Sequence, residues 1–109
     1  MAYRACHRFA RIAPRKARLV ADLIRGQPVD TAITALDFSK RRGAYFVKNV
    51  LRSAIANAEE ANADVGRLFV SESRVDEGPT IKRFQPKDRG RAHQILKRTS
   101  HIHVSVDLR

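Results

Sequence analysis

The sequence predicts an α+β fold: three helices packed on a small antiparallel β-sheet, with a long protruding β-hairpin. Three observations carry that prediction. Ile102, Val104, Val106 and Leu108 alternate with His101, His103, Ser105 and Asp107, the period-2 signature of a strand with one buried face. Ala44, Val47, Val50, Leu51, Ala54, Ile55 and Ala58 recur at spacings of three and four, a narrow helical stripe. Between them, residues 80–103 (TIKRFQPKDRGRAHQILKRTSHIH) are too basic and too sparsely apolar to belong to the core of a small domain.

Taken in order, residues 2–12 carry Arg4, Arg8 and Arg11 among Tyr3, Phe9 and Ile12, and read as an edge strand whose arginines discourage aggregation and meet phosphate. Pro14 suits the first position of a helix, which Gly26 stops. Ala17, Val20, Ala21, Leu23 and Ile24 form its apolar face, and Arg15, Lys16, Arg18 and Arg25 populate the rest. Ala13, before the proline, cannot cap this helix, which costs about 1 kcal/mol relative to serine.

Asp30 is expected to cap a short second helix through Phe38, burying Ile33, Leu36 and Phe38 with Val29 just outside. Ser39 is expected to cap the long third helix, which then opens with Lys40, Arg41 and Arg42. Those cations stand at the end of the helix dipole where acids are stabilising, so an external anion explains them better than helix stability does. The helix is expected to end near residues 62–66.

Leu68 to Val75 is β-branched and aromatic enough to pair with the last strand. That pairing makes the basic stretch the far end of one hairpin, with Asp88, Arg89 and Gly90 tolerating the reversal and Gly78 and Pro79 setting the bend where it leaves the domain. Arms of roughly ten residues reach on the order of 35 Å. The layout is one domain over 1–109: a globular head from 1–79 and 104–109, and an extended basic hairpin over 80–103.

The hairpin holds seven permanent cations against one acid, Asp88, a local charge of about +6. The plainer reading is a solvated basic loop. Strand-like ends and the charge of the whole chain argue against it: 22 Lys and Arg face 11 Asp and Glu, a net charge of +11. A two-stranded ribbon is marginal in water, and a cationic one also repels itself, so the partner that orders it is a dense polyanion. Nucleic acid fits first and an anionic membrane surface second. Residues 53–79 are the exception, with Glu59, Glu60, Asp64, Glu72, Asp76 and Glu77 against Arg67 and Arg74; that side should avoid the polyanion.

No run approaches the roughly 18 apolar residues of a membrane span, and the first twenty residues lack the apolar core of a secretory signal, so a soluble protein is expected. Cys6 is the single cysteine and forms no internal disulfide; a reducing compartment fits, and the thiol reads as a small core filler. His101 and His103 share one strand face, directed to RNA or solvent, without a third ligand for a metal or an apolar pocket to tune an acid or base. Asp76 and Glu77 read as part of the bend rather than a carboxylate pair. No enzyme, metal or cofactor is expected. Aromatics are 6% with no tryptophan, so base stacking is minor and phosphate contact dominates.

RIAPRKARLVADLIRG at 11–26, RRGAYFVKNVLRSAIANAEEA at 41–61 and VDEGPTIKRFQPKDRGRAHQILKRTSHIHVSV at 75–106 together resemble the family of ribosomal large-subunit protein number twenty-two, over nearly the whole chain. Each string alone is short; the combination in this order is highly specific. The resemblance implies a structural component that binds large-subunit (23S) rRNA in translation, its small α+β head on the outside of the subunit near the polypeptide exit, beside neighbouring ribosomal proteins. It also implies a hairpin running inward as part of the polypeptide exit tunnel wall, near the nascent polypeptide and the place where macrolide antibiotics act. A cytoplasmic ribosome of bacterial type is expected, an organellar one being the other option.

Carried onto this sequence, the tip residues are Lys82, Arg83, Lys87, Arg89, Gly90 and Arg91, with Lys97, Arg98 and Ser100 on the returning arm and Arg15, Lys16 and Arg18 in the first-helix motif. Together with Arg8, Arg11, Arg25, Lys40, Arg41 and Arg42 they make the expected RNA-binding set. The chain departs from the family's pattern at Ala13, where serine is usual, at Ile81, where methionine is common, and at His93, where aspartate is common. The competing reading is a free-standing basic nucleic-acid-binding protein or RNA chaperone; an RNase using His101 and His103 is weaker.

Overall fold

A computed structural model describes residues 2–87 and 91–109, with side chains described outside 84–94. Strand β1 (Tyr3–Ala10) leads into helices α1 (Pro14–Ile24), α2 (Val29–Phe38) and α3 (Arg42–Glu60). A 3-10 turn (Val65–Arg67) then precedes β2 (Leu68–Glu77), β3 (Ile81–Lys87), β4 (Arg91–Lys97) and β5 (Ser100–Leu108). Strands β1, β5 and β2 form one antiparallel sheet in that order, and β3 and β4 form a separate antiparallel ribbon. The α+β class is as the sequence predicts.

Period-2 alternation puts Ile102, Val104 and Val106 of the central strand on the face that α1 and α3 cover, and all three are fully buried. Val75 and Val70 from β2 join them, as do Val20, Ala21 and Ile24 of α1 and Val47, Leu51 and Ala54 of α3. Gly43 lets α1 and α3 close on each other: a Cβ there would stand 3.2 Å from Val20 Cγ2 and 3.3 Å from Ile12 Cδ1. α3 ends where Asn62 takes a left-handed φ of 62° and the Ala63 amide donates to the Ala58 carbonyl.

The ribbon leaves the head where the sequence places the bend. The Gly78 amide donates to the Thr99 carbonyl at 3.0 Å, and the Thr99 hydroxyl donates to the Pro79 carbonyl at 2.6 Å. Register runs from Ile81↔Lys97 to Lys87↔Arg91; the expected reversal at Asp88, Arg89 and Gly90 lies outside the described residues. The long axis of the molecule is 62 Å against 24 and 17 Å. Its radius of gyration is 16.8 Å, where a compact chain of this length gives about 13 Å.

Several local expectations need correction. Residues 100–103 belong to the head sheet, paired with both β1 and β2, so the ribbon proper is 81–97. α2 starts at Val29 behind Pro28, not behind Asp30, because Gly26 to Pro28 are tied to β2 by Gly26 N–H to Val70 O, Val70 N–H to Gln27 O and a bridge from Pro28 to Phe69. Val29 is therefore buried, whereas Phe38 at the far end is 83% exposed. Ser39 does not cap α3: its hydroxyl accepts from the Arg41 amide in a local turn, and the helix begins at Arg42. Leu23 lies off the buried stripe of α1, at 55% exposed. Phe9 takes a φ of 58° at a break in β1 pairing between His7 and Ala10, a bulge that sequence alternation did not show.

Candidate nucleic-acid interface

The bend, the close approach of α1 to α3 and the end of β1 bring one set of cations together. Arg11 follows β1, Lys16 sits in the first turn of α1, Arg41 and Arg42 open α3, and Lys97 and Arg98 stand at the root of the ribbon. These six line a cleft of about 930 Å³, with Ile12, Ala13, Leu19, Gly43 and Leu96 supplying the uncharged wall and no acid among the lining. None of the six is in an ion pair among the described residues.

Both helices that border the cleft begin in a way that favours an anion. Neither α1 nor α3 has a side-chain N-cap or an acid in its first turn, and Ala13 is the uncapped position expected. Their positive dipole ends therefore add to the six side chains instead of being offset. α3 also runs about 28 Å from this cationic end to Glu59 and Glu60, charges inverted with respect to its own dipole. Like charges gathered without partners cost stability in the free protein and are relieved by a polyanion.

A smaller depression of about 460 Å³ adjoins, sharing Ala13 and Arg98 and adding Pro14, Arg15, Arg18 and Glu77. Arg18 is largely committed elsewhere: its Nε and Nη2 donate to the Val75 carbonyl at 3.2 and 3.0 Å. Arg25 likewise donates to the Ser73 carbonyl and pairs with Asp22. Both clamp α1 to the backbone of β2. Arg8 is exposed with its guanidinium 5.3 Å from the Phe9 ring centroid, and Lys40, Lys82 and Arg83 are exposed outside the cleft.

Ser100 is fully buried, and its hydroxyl donates to the carbonyl of Ile12, a lining residue of the cleft, at 2.6 Å, so it presents nothing to a ligand. For Lys87, Arg91 and His93 only the strand register is described, and Arg89 and Gly90 lie outside the described residues. Sequence reasoning missed the uncharged wall. Gly43, directly after three cations in a helix start, was the available signal for a close helix approach that makes those cations converge.

The open face of the sheet holds the residues a catalytic reading would use. Cys6 is exposed, not a core filler, because the strand pairs it with His103 on the face the helices leave open. His103 Nε2 lies 3.8 Å from Cys6 Sγ and 3.2 Å from Asp76 Oδ2. A nucleophile, base and orienting acid need the two ring nitrogens shared between the two partners; here both fall on the same nitrogen, so no proton relay is built. His101 is not simply solvent-facing either: its Nδ1 accepts from the Phe9 amide at 3.1 Å. Among the described residues no group of three or more His, Cys, Asp or Glu is arranged to hold a metal ion, and no helix is long and apolar enough to cross a membrane.

A comparison with protein-family models finds a match to the family described as ribosomal protein L22p/L17e, extending over residues 5–107.

Proposed function

The chain belongs to the ribosomal protein L22p/L17e family, structural proteins of the large ribosomal subunit, and from that premise we propose that rRNA phosphates seated in the cationic cleft hold it there. The ribbon β3–β4 then continues into the RNA as part of the wall of the polypeptide exit tunnel, beside the nascent chain, while the head meets neighbouring ribosomal proteins. The cleft is the observation that carries this: six cations with no acid partner among the described residues and two helix starts without a side-chain cap meet at the joint between head and ribbon. Phosphate bound at that joint fixes the direction in which the ribbon points. Arg15, Lys82 and Arg83 extend the same contact to either side.

The full chain should bind large-subunit rRNA with a steep salt response. Six or seven neutralised phosphates lower affinity on the order of a thousandfold between roughly 50 and 200 mM salt. Reversing Lys16 and Arg42 together should flatten the slope of log affinity against log salt by about two phosphates' worth. A wild-type affinity indifferent to salt would remove the electrostatic basis. A free-standing RNA chaperone would show the same slope, but it would not sediment with large-subunit particles after a moderate salt wash.

A further inference from the structure

Helix α3 turns outward a surface that continues from the cleft beyond Arg41 and Arg42. Arg41, Tyr45 and Arg52 follow at spacings of four and seven on the side opposite its buried stripe, and all three are exposed, Tyr45 at 63%. A tyrosine placed there contributes nothing to the core. Phe46 stands edge-on behind it, ring centroids 5.5 Å apart, and the Arg42 guanidinium lies 5.7 Å from the Phe46 centroid. Lys48, on the same side of the helix, is paired with Asp37 at 3.0 Å, so that acid is already neutralised. Glu59 and Glu60 lie a further seven or more residues along.

This surface is continuous with the cleft, because Arg41 and Arg42 line both. Arg41 stands about 6 Å before the ring along the helix axis and Arg52 about 10 Å beyond it. An exposed ring between cations suits a planar apolar group carried on a chain of negative charges, the chemistry of single-stranded nucleic acid. Asn49, exposed one turn beyond Tyr45, offers an amide to the edge of such a base.

We propose that Tyr45 is a stacking platform for an unpaired nucleobase of the bound RNA, with Arg41 and Arg52 holding the phosphates on either side. The proposal rests on the reading of the cleft as an RNA site and adds a specific base contact where the composition made base stacking minor.

The full-length protein is titrated with a short unstructured oligoadenylate and, separately, with inorganic polyphosphate. The chain has two tyrosines and no tryptophan, so tyrosine emission reports on the ring. Oligoadenylate should quench it and polyphosphate should not. Tyr45→Ala should weaken oligoadenylate binding by about fivefold to a hundredfold and leave polyphosphate binding unchanged. Tyr45→Phe should keep the affinity for oligoadenylate and lose the quenching. Tyr45→Ala binding oligoadenylate as tightly as wild type would overturn the platform while leaving the cleft intact. Wild type binding neither probe would overturn the cleft and the platform together.

Discussion

The head and the ribbon are built from the same chain by opposite means. In the head, helices cover one face of a three-stranded sheet, and residues such as Leu51, Ile102 and Val104 are removed from water completely. In the ribbon, β3 and β4 pair only with each other; Ile81 is half-buried and Leu96 is exposed. Apolar burial stabilises the first, whereas a two-stranded ribbon is marginal in water. The difference teaches that the head carries its own stability, whereas on the function proposed above the ribbon takes part of its order from a ligand held by the cations at the joint.

Substitutions should separate the two regions, and the largest effect belongs to the head. Leu51→Ala leaves a cavity between α3 and the sheet and should cost about 2–5 kcal/mol in denaturant unfolding. A loss below about 1 kcal/mol would mean the head is not packed as described. At the joint, a Cβ on Gly78 would stand 2.5 Å from Thr99 Oγ1 and 3.3 Å from the Thr99 carbonyl carbon, so Gly78→Ala should cost about 1–3 kcal/mol. The cost should shrink in a Thr99→Ala background, a coupling that a double-mutant cycle reads directly.

Smaller still is a gain. Ala13 has the extended backbone of an N-cap, φ −65° and ψ 136°, without a side chain to use it. Ala13→Ser should add about 1 kcal/mol, a rise of about 4–8 °C in melting temperature. In the ribbon, Leu96→Ala should move the melting of the free protein by less than about 0.5 kcal/mol. Deleting residues 82–98 should likewise leave a head that folds by circular dichroism and still binds RNA. An unfolded truncation would show that the ribbon shares the core, and the contrast between the regions would be lost.

How much of this was legible in the sequence depended on whether a residue's fate was local. The α3 stripe and the β5 alternation were readable because periodicity selects a face, and the bend at Gly78 and Pro79 because those residues restrict the backbone themselves. The start of α2 was not, since long-range pairing of Gly26 to Pro28 with β2 sets it. Leu23 and Phe38 failed for a related reason: an apolar residue is buried only if another element arrives to cover it. Of the expected binding set, cations from four separate segments do meet in one cleft, but a count of charges could not show that Arg18 and Arg25 are spent on β2 carbonyls, nor that Ser100 is sealed beneath Ile12. The proximity of Cys6, His103 and Asp76 was equally hidden, because it joins residues 97 apart through strand register.

The strand order β1-β5-β2 also sets a condition on folding. Tyr3 faces Val106 and Leu68 faces Leu108, so β1 and β2 have no neighbour in common until β5 slides in between them. A chain in which β5 has not yet formed therefore carries two unpaired edges and helices without a floor, and the head closes only by contacts of long sequence separation, which form slowly. One strand thus decides whether the head has an interior at all, because β5 alone joins the two halves of the sheet.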